Sequence, residues 1–198
     1  MTEEEWPECD DAALMYEHLC RPRWRALGLR RHRPSARKLR LVVAATGRML
    51  RHSEVGQWRI LHEAFCGRWD DAMSAAEQLA DGLPMDMSFV NCVVTLPDPE
   101  YGIRVVLTFV SLVDIAHLFR DTFGNPFRPV TFSPSWRTSA AIALAHQMYE
   151  ARNFSAMPIL ADALQDAGCD SADVLDHCRE PGPHVRGCWV VDLVLGKA

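Results

Sequence analysis

The sequence lacks several features that would place it in a familiar class. No apolar run approaches the ~18 residues that a membrane-spanning helix needs, so we expect no membrane span. The first residues, MTEEEWPECDD, are acidic and contain no apolar segment, which argues against a signal peptide and favours a cytoplasmic protein. The formal net charge of -5 gives no global reason to expect nucleic-acid binding.

Short catalytic and metal-binding motifs are missing as well. The chain has no CxxC pair, no HExxH sequence and no glycine-rich phosphate loop. The seven cysteines are an odd number, and without a signal peptide they argue against a disulfide framework. They favour buried thiols or a metal site instead.

Helical periodicity is the main pattern that is present. It predicts helices over residues 10–20, 35–50, 54–66, 69–81 and 103–122, and then over 139–152, 157–168 and 170–179. Residues 184–196 end the chain as a buried helix or strand. Residues 88–96 fit either state, and a short β-hairpin near 88–110 is the alternative there.

These elements predict a mainly α protein with a compact helical array. The proline-rich segment FGNPFRPVTFSPSW forms a fixed, extended connector within it, because proline removes a backbone donor and restricts its neighbour. We divide the chain into an N-terminal helical region over 1–84, an uncertain middle segment over 85–118 and a C-terminal helical unit over 119–198. One continuous domain is the alternative.

Several stretches resemble a known group of proteins. LFRDTFGNPFRPV, LADALQDAGCDSADVLDHCR and GPHVRGCWVVDLVLGK are similar to the C-terminal part of an uncharacterised planctomycete protein family. MTEEEWPECDD and RKLRL resemble the beginning of the same group. The resemblance supports a mostly helical fold, and it implies no activity and no catalytic residue.

Three cysteines and two histidines crowd the stretch GCDSADVLDHCREPGPHVRGCW. If residues 184–195 are helical, His184 and Cys188 share one helix face and form a sound pair of zinc ligands. His177 and Cys178 are adjacent and diverge by about 100° on a helix, so we expect only one of them to ligate. The predicted metal quartet is Cys169, Cys178, His184 and Cys188.

Two other interpretations of this stretch remain open. Free cysteines are often simply buried apolar groups, in which case we expect no cofactor, with zinc as the alternative. A Cys188 nucleophile paired with His184 and oriented by Asp192 is also conceivable and would make the protein an enzyme.

The stretch RPRWRALGLRRHRPSARKLR holds nine of the chain's 21 Lys and Arg residues. Such a segment can bind phosphates, although it contains no recognisable nucleic-acid motif. The predicted polyanion-binding residues are Arg23, Arg25, Arg30, Arg31, Arg33, Arg37 and Lys38. The alternative is neutralisation by the acidic first eleven residues.

No catalytic constellation stands out in the sequence, so we favour a non-enzymatic protein-interaction or regulatory module with an unknown protein partner. The two turns with fixed shapes, FGNPFRPV and REPGPHVRGCW, supply the expected interaction surface: Asn125, Phe127, Arg128 and Arg186. The first alternative is a zinc-stabilised module that binds nucleic acid or another polyanion. The second is the Cys/His-dependent enzyme.

Overall fold

Helices make up most of the chain wherever the structure describes it. A computed structural model describes residues 1–20, 34–50, 69–83, 100, 103 and 112–197. These residues form nine α-helices and no strand, which confirms the predicted mainly α class. The predicted helix over 54–66 lies outside the described residues, and so does almost all of the possible hairpin near 88–110.

The chain divides into two compact units, Met1–Phe119 and Arg120–Ala198. We call them the N-terminal unit and the C-terminal unit. The described helices that lie wholly within the N-terminal unit are α1 (Glu5–Glu8), α2 (Ala12–Cys20), α3 (Ala36–Leu50) and α4 (Trp69–Ala80).

Helices α3 and α4 pack against each other within the N-terminal unit. Ser35 caps the N-terminus of α3, since its hydroxyl accepts the Lys38 N–H at 3.1 Å. One ion pair joins the two helices, and another joins α3 to Asp81, the residue that follows α4. Arg37 Nε lies 3.2 Å from Asp81 Oδ1, and Arg48 Nε lies 3.0 Å from Glu77 Oε1. Because the Glu77 carboxylate is buried, this pairing offsets the cost of removing it from water.

Helix α5 (Leu112–Phe123) ends in the C-terminal unit, and four further helices follow: α6 (Ser139–Ala151), α7 (Met157–Asp166), α8 (Ala172–Arg179) and α9 (Trp189–Leu195). Three of them agree with the predicted helices over 139–152, 157–168 and 170–179. Their apolar faces bury a core that includes Met148, Tyr149, Leu160, Leu164, Val174, Val190, Val191 and Val194. Each fully buried apolar side chain of this size contributes about 1.5–3 kcal/mol.

The last segment is a helix, but it starts later than the pattern suggested. Helix α9 begins at Trp189, and the residues before it form a turn in which Cys188 N–H donates to the Val185 carbonyl at 2.9 Å. Gly187 sits in this turn with a φ of 100°, a backbone conformation that favours glycine. His184 and Cys188 therefore do not share a helix face, as a helix over 184–195 would have required.

The proline-rich connector between α5 and α6 contains a single short helix, of the 3₁₀ type, at Pro134–Trp136. Near its start, the Asn125 side chain accepts the Phe127 N–H at 2.9 Å and fixes a tight turn. Across the residues that the structure describes, no helix is both long enough and apolar enough to cross a membrane.

Candidate metal centre

Four potential metal ligands converge in the C-terminal unit. Asp121 lies in the last turn of α5, and His177 lies in the last turn of α8. His184 belongs to the loop after α8, and Cys188 directly precedes α9. One candidate ligand atom from each residue lies within 4.8 Å of those from the other three, so the group could hold a metal ion.

Two of the short separations meet at one nitrogen atom. His177 Nε2 lies 3.2 Å from Asp121 Oδ1 and 3.2 Å from Cys188 Sγ. A tetrahedral zinc ion, with bonds of about 2.0–2.3 Å, sets its ligand atoms about 3.3–3.6 Å apart. The separation between His177 Nε2 and Cys188 Sγ is thus close to that of two atoms sharing a zinc ion.

Asp121 contacts both histidines of the group, and it is only 4% exposed. Its Oδ1 atom lies 2.7 Å from His184 Nδ1, and its Oδ2 atom accepts the Val185 N–H at 3.0 Å. Burial by itself raises the pKa of the carboxyl group. Hydrogen bonds and charge from His177 and His184 outweigh that effect, so the pKa of Asp121 lies below its ordinary value of 3.8. Asp121 is therefore an anion inside the unit.

Cys188 is completely buried, with 0% of its surface exposed. Burial, and then the negative charge of Asp121, raise the pKa of its thiol well above the ordinary value of 9.0. Without a nearby cation the thiol stays protonated and unreactive. A bound divalent ion would replace this proton, because cysteine ligates metals as the thiolate.

Aromatic contacts hold the His177 ring in place. Its centroid lies 5.0 Å from that of His184 at 73°, and 5.1 Å from that of Trp189 at 50°. The Trp189 ring in turn packs on Gly124, where an added Cβ would come within 3.2 Å of it. Gly124 also has a φ of 63°. The backbone just after α5 thus packs closely against the Trp189 ring, and the Trp189 ring contacts His177.

One nitrogen of His184 has no hydrogen-bond partner among the residues that the structure describes. The His184 side chain is 9% exposed, and the nitrogen without a partner is the buried Nε2 atom. A buried polar atom without a partner carries a desolvation cost, so it calls for an explanation such as an ion.

The structure brings together two of the four predicted metal ligands, His184 and Cys188. Cys169 and Cys178 are both buried but do not belong to the group within 4.8 Å. Burial, the largest cause, raises the pKa of Cys178 to about 12, and it also raises the pKa of Cys169. Both thiols are those of ordinary buried cysteines.

Asp121 and His177 are the two members of the group that sequence reasoning did not include. His177 and Cys178 diverge on α8 as expected, but Cys178 turns into the core and the partly exposed His177 reaches the group. Asp121 lies more than fifty residues upstream of His177. No local spacing connects two residues so far apart, and the sequence offers only an acidic residue in the last turn of an apolar helix, three residues before Gly124.

The predicted polyanion-binding residues fall mostly outside the described part of the chain. Five of them lie outside it: Arg23, Arg25, Arg30, Arg31 and Arg33. Arg37 of α3 is paired with the carboxylate of Asp81, the residue that follows α4, and its side chain is 13% exposed. Lys38 is half-buried.

The predicted interaction residues differ in exposure. Asn125 and Phe127 are half-buried, whereas Arg128 is exposed and lies 3.9 Å from Asp173. The Arg186 side chain is turned inward. It donates to the Tyr149 carbonyl at 2.8 Å and places its guanidinium 4.6 Å from the Tyr149 ring.

Comparisons of the chain with protein-family models, curated proteins and solved structures found no match.

Proposed function

We propose that the chain is a non-enzymatic interaction module whose C-terminal unit is stabilised by a zinc ion bound among Asp121, His177, His184 and Cys188. The observation that carries this proposal is the convergence of the four ligand atoms within 4.8 Å. The four residues come from α5, α8, the loop after α8 and the position directly before α9. An ion bound there links these segments in the way a structural zinc links the parts of a small domain.

The donor set favours zinc over the hard cations. Magnesium and calcium prefer oxygen ligands, whereas imidazole and thiolate suit zinc. A carboxylate and a thiolate together carry two negative charges, which would balance the two positive charges of the ion. This balance matters because an isolated ionised group is costly to bury.

The same geometry weighs against a cysteine-dependent enzyme. In a nucleophile–histidine–acid triad, the nucleophile and the acid bind opposite nitrogens of the imidazole ring. Here Asp121 Oδ1 and Cys188 Sγ both lie 3.2 Å from the same nitrogen, His177 Nε2. The Cys188 thiol is also buried and has a raised pKa, which is the reverse of an activated nucleophile.

The interaction role is supported by the turn after α5. Its shape is fixed by two hydrogen bonds, from Phe127 N–H to Asn125 Oδ1 at 2.9 Å and from Arg128 N–H to the Asn125 carbonyl at 3.1 Å. Arg128 is exposed beside this turn, so it can meet a partner without a large loss of backbone entropy.

The zinc proposal is tested by thermal unfolding of the purified chain with added zinc and with a chelator. A ligand at about a thousand times its dissociation constant stabilises the folded state by about 4 kcal/mol, so we expect Tm to rise by roughly 10 °C or more with zinc.

The variants for this test are Cys188→Ala and Cys178→Ala, which remove two buried thiols of the same unit. We expect Cys188→Ala to abolish the response to zinc. Cys178→Ala should lower the overall stability but keep the response. An equal response to zinc in both variants would contradict the proposed centre.

A further inference from the structure

Both oxygens of the Asp121 carboxylate already have hydrogen-bond partners. Oδ1 lies 2.7 Å from His184 Nδ1, the shortest separation in the group, and Oδ2 accepts the Val185 N–H at 3.0 Å. The carboxylate therefore holds the loop after α8 at two adjacent positions, once through a side chain and once through the backbone.

The contact with Asp121 also assigns the proton on His184. An ionised carboxylate only accepts hydrogen bonds, so Nδ1 of His184 must carry the proton in the 2.7 Å contact. When the ring is neutral, its lone pair is on Nε2, the buried atom that has no hydrogen-bond partner among the described residues. Histidines that ligate metals commonly donate their other N–H to a carboxylate in this way.

From these two observations we infer that Asp121 orients His184 and is not itself a ligand. This inference rests on the proposed zinc ion and refines its coordination. Three protein atoms bind the ion: His177 Nε2, His184 Nε2 and Cys188 Sγ. The fourth position of the tetrahedron is open and takes water or a small monodentate anion.

The charges at the three-ligand centre leave room for either water or a small anion at the open position. A divalent ion with one thiolate ligand and two neutral imidazoles keeps one positive charge, and the Asp121 carboxylate offsets that charge from outside the set of ligands. His177 is 16% exposed, so the centre is not sealed from solvent. Azide is a suitable probe because it is small, anionic and binds through one atom.

The test uses the full chain loaded with cobalt(II) in place of zinc, since cobalt(II) has visible absorption bands that depend on its ligands. Cobalt should bind with a thiolate-to-metal absorption band that Cys188→Ala removes. We expect azide to change the visible spectrum of the wild-type protein in a saturable manner. An unchanged spectrum would mean that the fourth position is closed and would overturn the inference without any variant.

Substitution of Asp121 gives a second readout. We expect Asp121→Asn to retain one cobalt ion per chain and the azide response, with affinity weakened about 10- to 100-fold, as is usual when a partner of a ligating histidine is removed. His184→Ala should lose stoichiometric binding. If both variants lose cobalt binding equally and are still helical by circular dichroism, Asp121 is a ligand. That result would overturn the inference, but it would not contradict the proposed metal site. A wild-type chain that binds no cobalt would overturn the proposed zinc centre as well.

Discussion

At the scale of single residues, burial sets the chemistry of the three cysteines in the C-terminal unit. Cys169, Cys178 and Cys188 are all buried, and burial is the largest cause that raises the pKa of each thiol above its ordinary value of 9.0. The folded chain without metal therefore holds thiol protons that the unfolded chain releases at alkaline pH. Protonation and stability are linked in this state.

The linkage predicts that the metal-free protein loses stability as the pH rises above about 9. Below that value the thiols are protonated in both states, so they contribute no pH dependence. Above it the unfolded state binds fewer protons than the folded state, and the free energy of unfolding falls up to the folded pKa, which is about 12 for Cys178. Urea unfolding at pH 7 and pH 10 measures the effect. Cys178→Ala should reduce this decline in the free energy of unfolding. An unchanged decline would contradict the raised pKa of the Cys178 thiol.

Gly124 gives a second prediction at this scale. Gly124→Ala should destabilise the protein by about 2–4 kcal/mol, because it combines a left-handed backbone with a new Cβ that comes within 3.2 Å of Trp189. Gly168→Ala is the matched control, since its φ is 85° but no atom of the described residues lies within 4 Å of the added atom. It should cost only the backbone term of about 1–2 kcal/mol. Urea unfolding of both variants measures the loss of unfolding free energy. Equal losses in the two variants would show that the contact with Trp189 does not contribute to the destabilisation.

The sequence identified only part of the site at this scale. His184 and Cys188 stood out because they lie close together in a stretch rich in cysteine and histidine. His177 was passed over because adjacent residues on a helix diverge, and the sequence does not say which of the two faces the site. Asp121 could not be found by spacing, since the fold brings it to the loop from another helix.

At the scale of elements, the helices of the C-terminal unit followed from apolar periodicity and from end signals. Pro158 lies in the first turn of α7, and Gly168 lies two residues past its last residue with a φ of 85°. The start of α9 was misjudged because apolar residues at helical spacing do not mark where a helix begins. The turn that ends at Cys188 has a positive φ at Gly187. The spacing of apolar residues carries no information about that backbone angle.

The helix caps give a prediction at this scale. The Thr138 hydroxyl accepts the Ala141 N–H at 3.2 Å, so Thr138→Ala should cost about 1 kcal/mol. Ser171 occupies the same position before α8 but makes no side-chain hydrogen bond to the helix. Ser171→Ala should therefore cost clearly less. Chemical denaturation of the two variants measures the difference, and a larger loss for Ser171→Ala would contradict this account of the caps.

At the scale of the whole molecule, the candidate centre belongs to one compact unit. Its members come from α5, α8, the loop after α8 and the position directly before α9, all within Arg120–Ala198. The mainly α class was predictable because periodicity is a local property of the chain. The complete site was not predictable, because Asp121 joins it through contacts between residues far apart in the sequence.

The most direct measurement is the metal content of the purified, untagged chain, determined by elemental analysis beside a His177→Ala, Cys188→Ala double variant. The account predicts about one zinc ion per wild-type chain and almost none in the double variant, because two ligands are removed. A metal-free wild-type chain that also fails to take up added zinc, or equal zinc in the two proteins, would contradict the proposed centre.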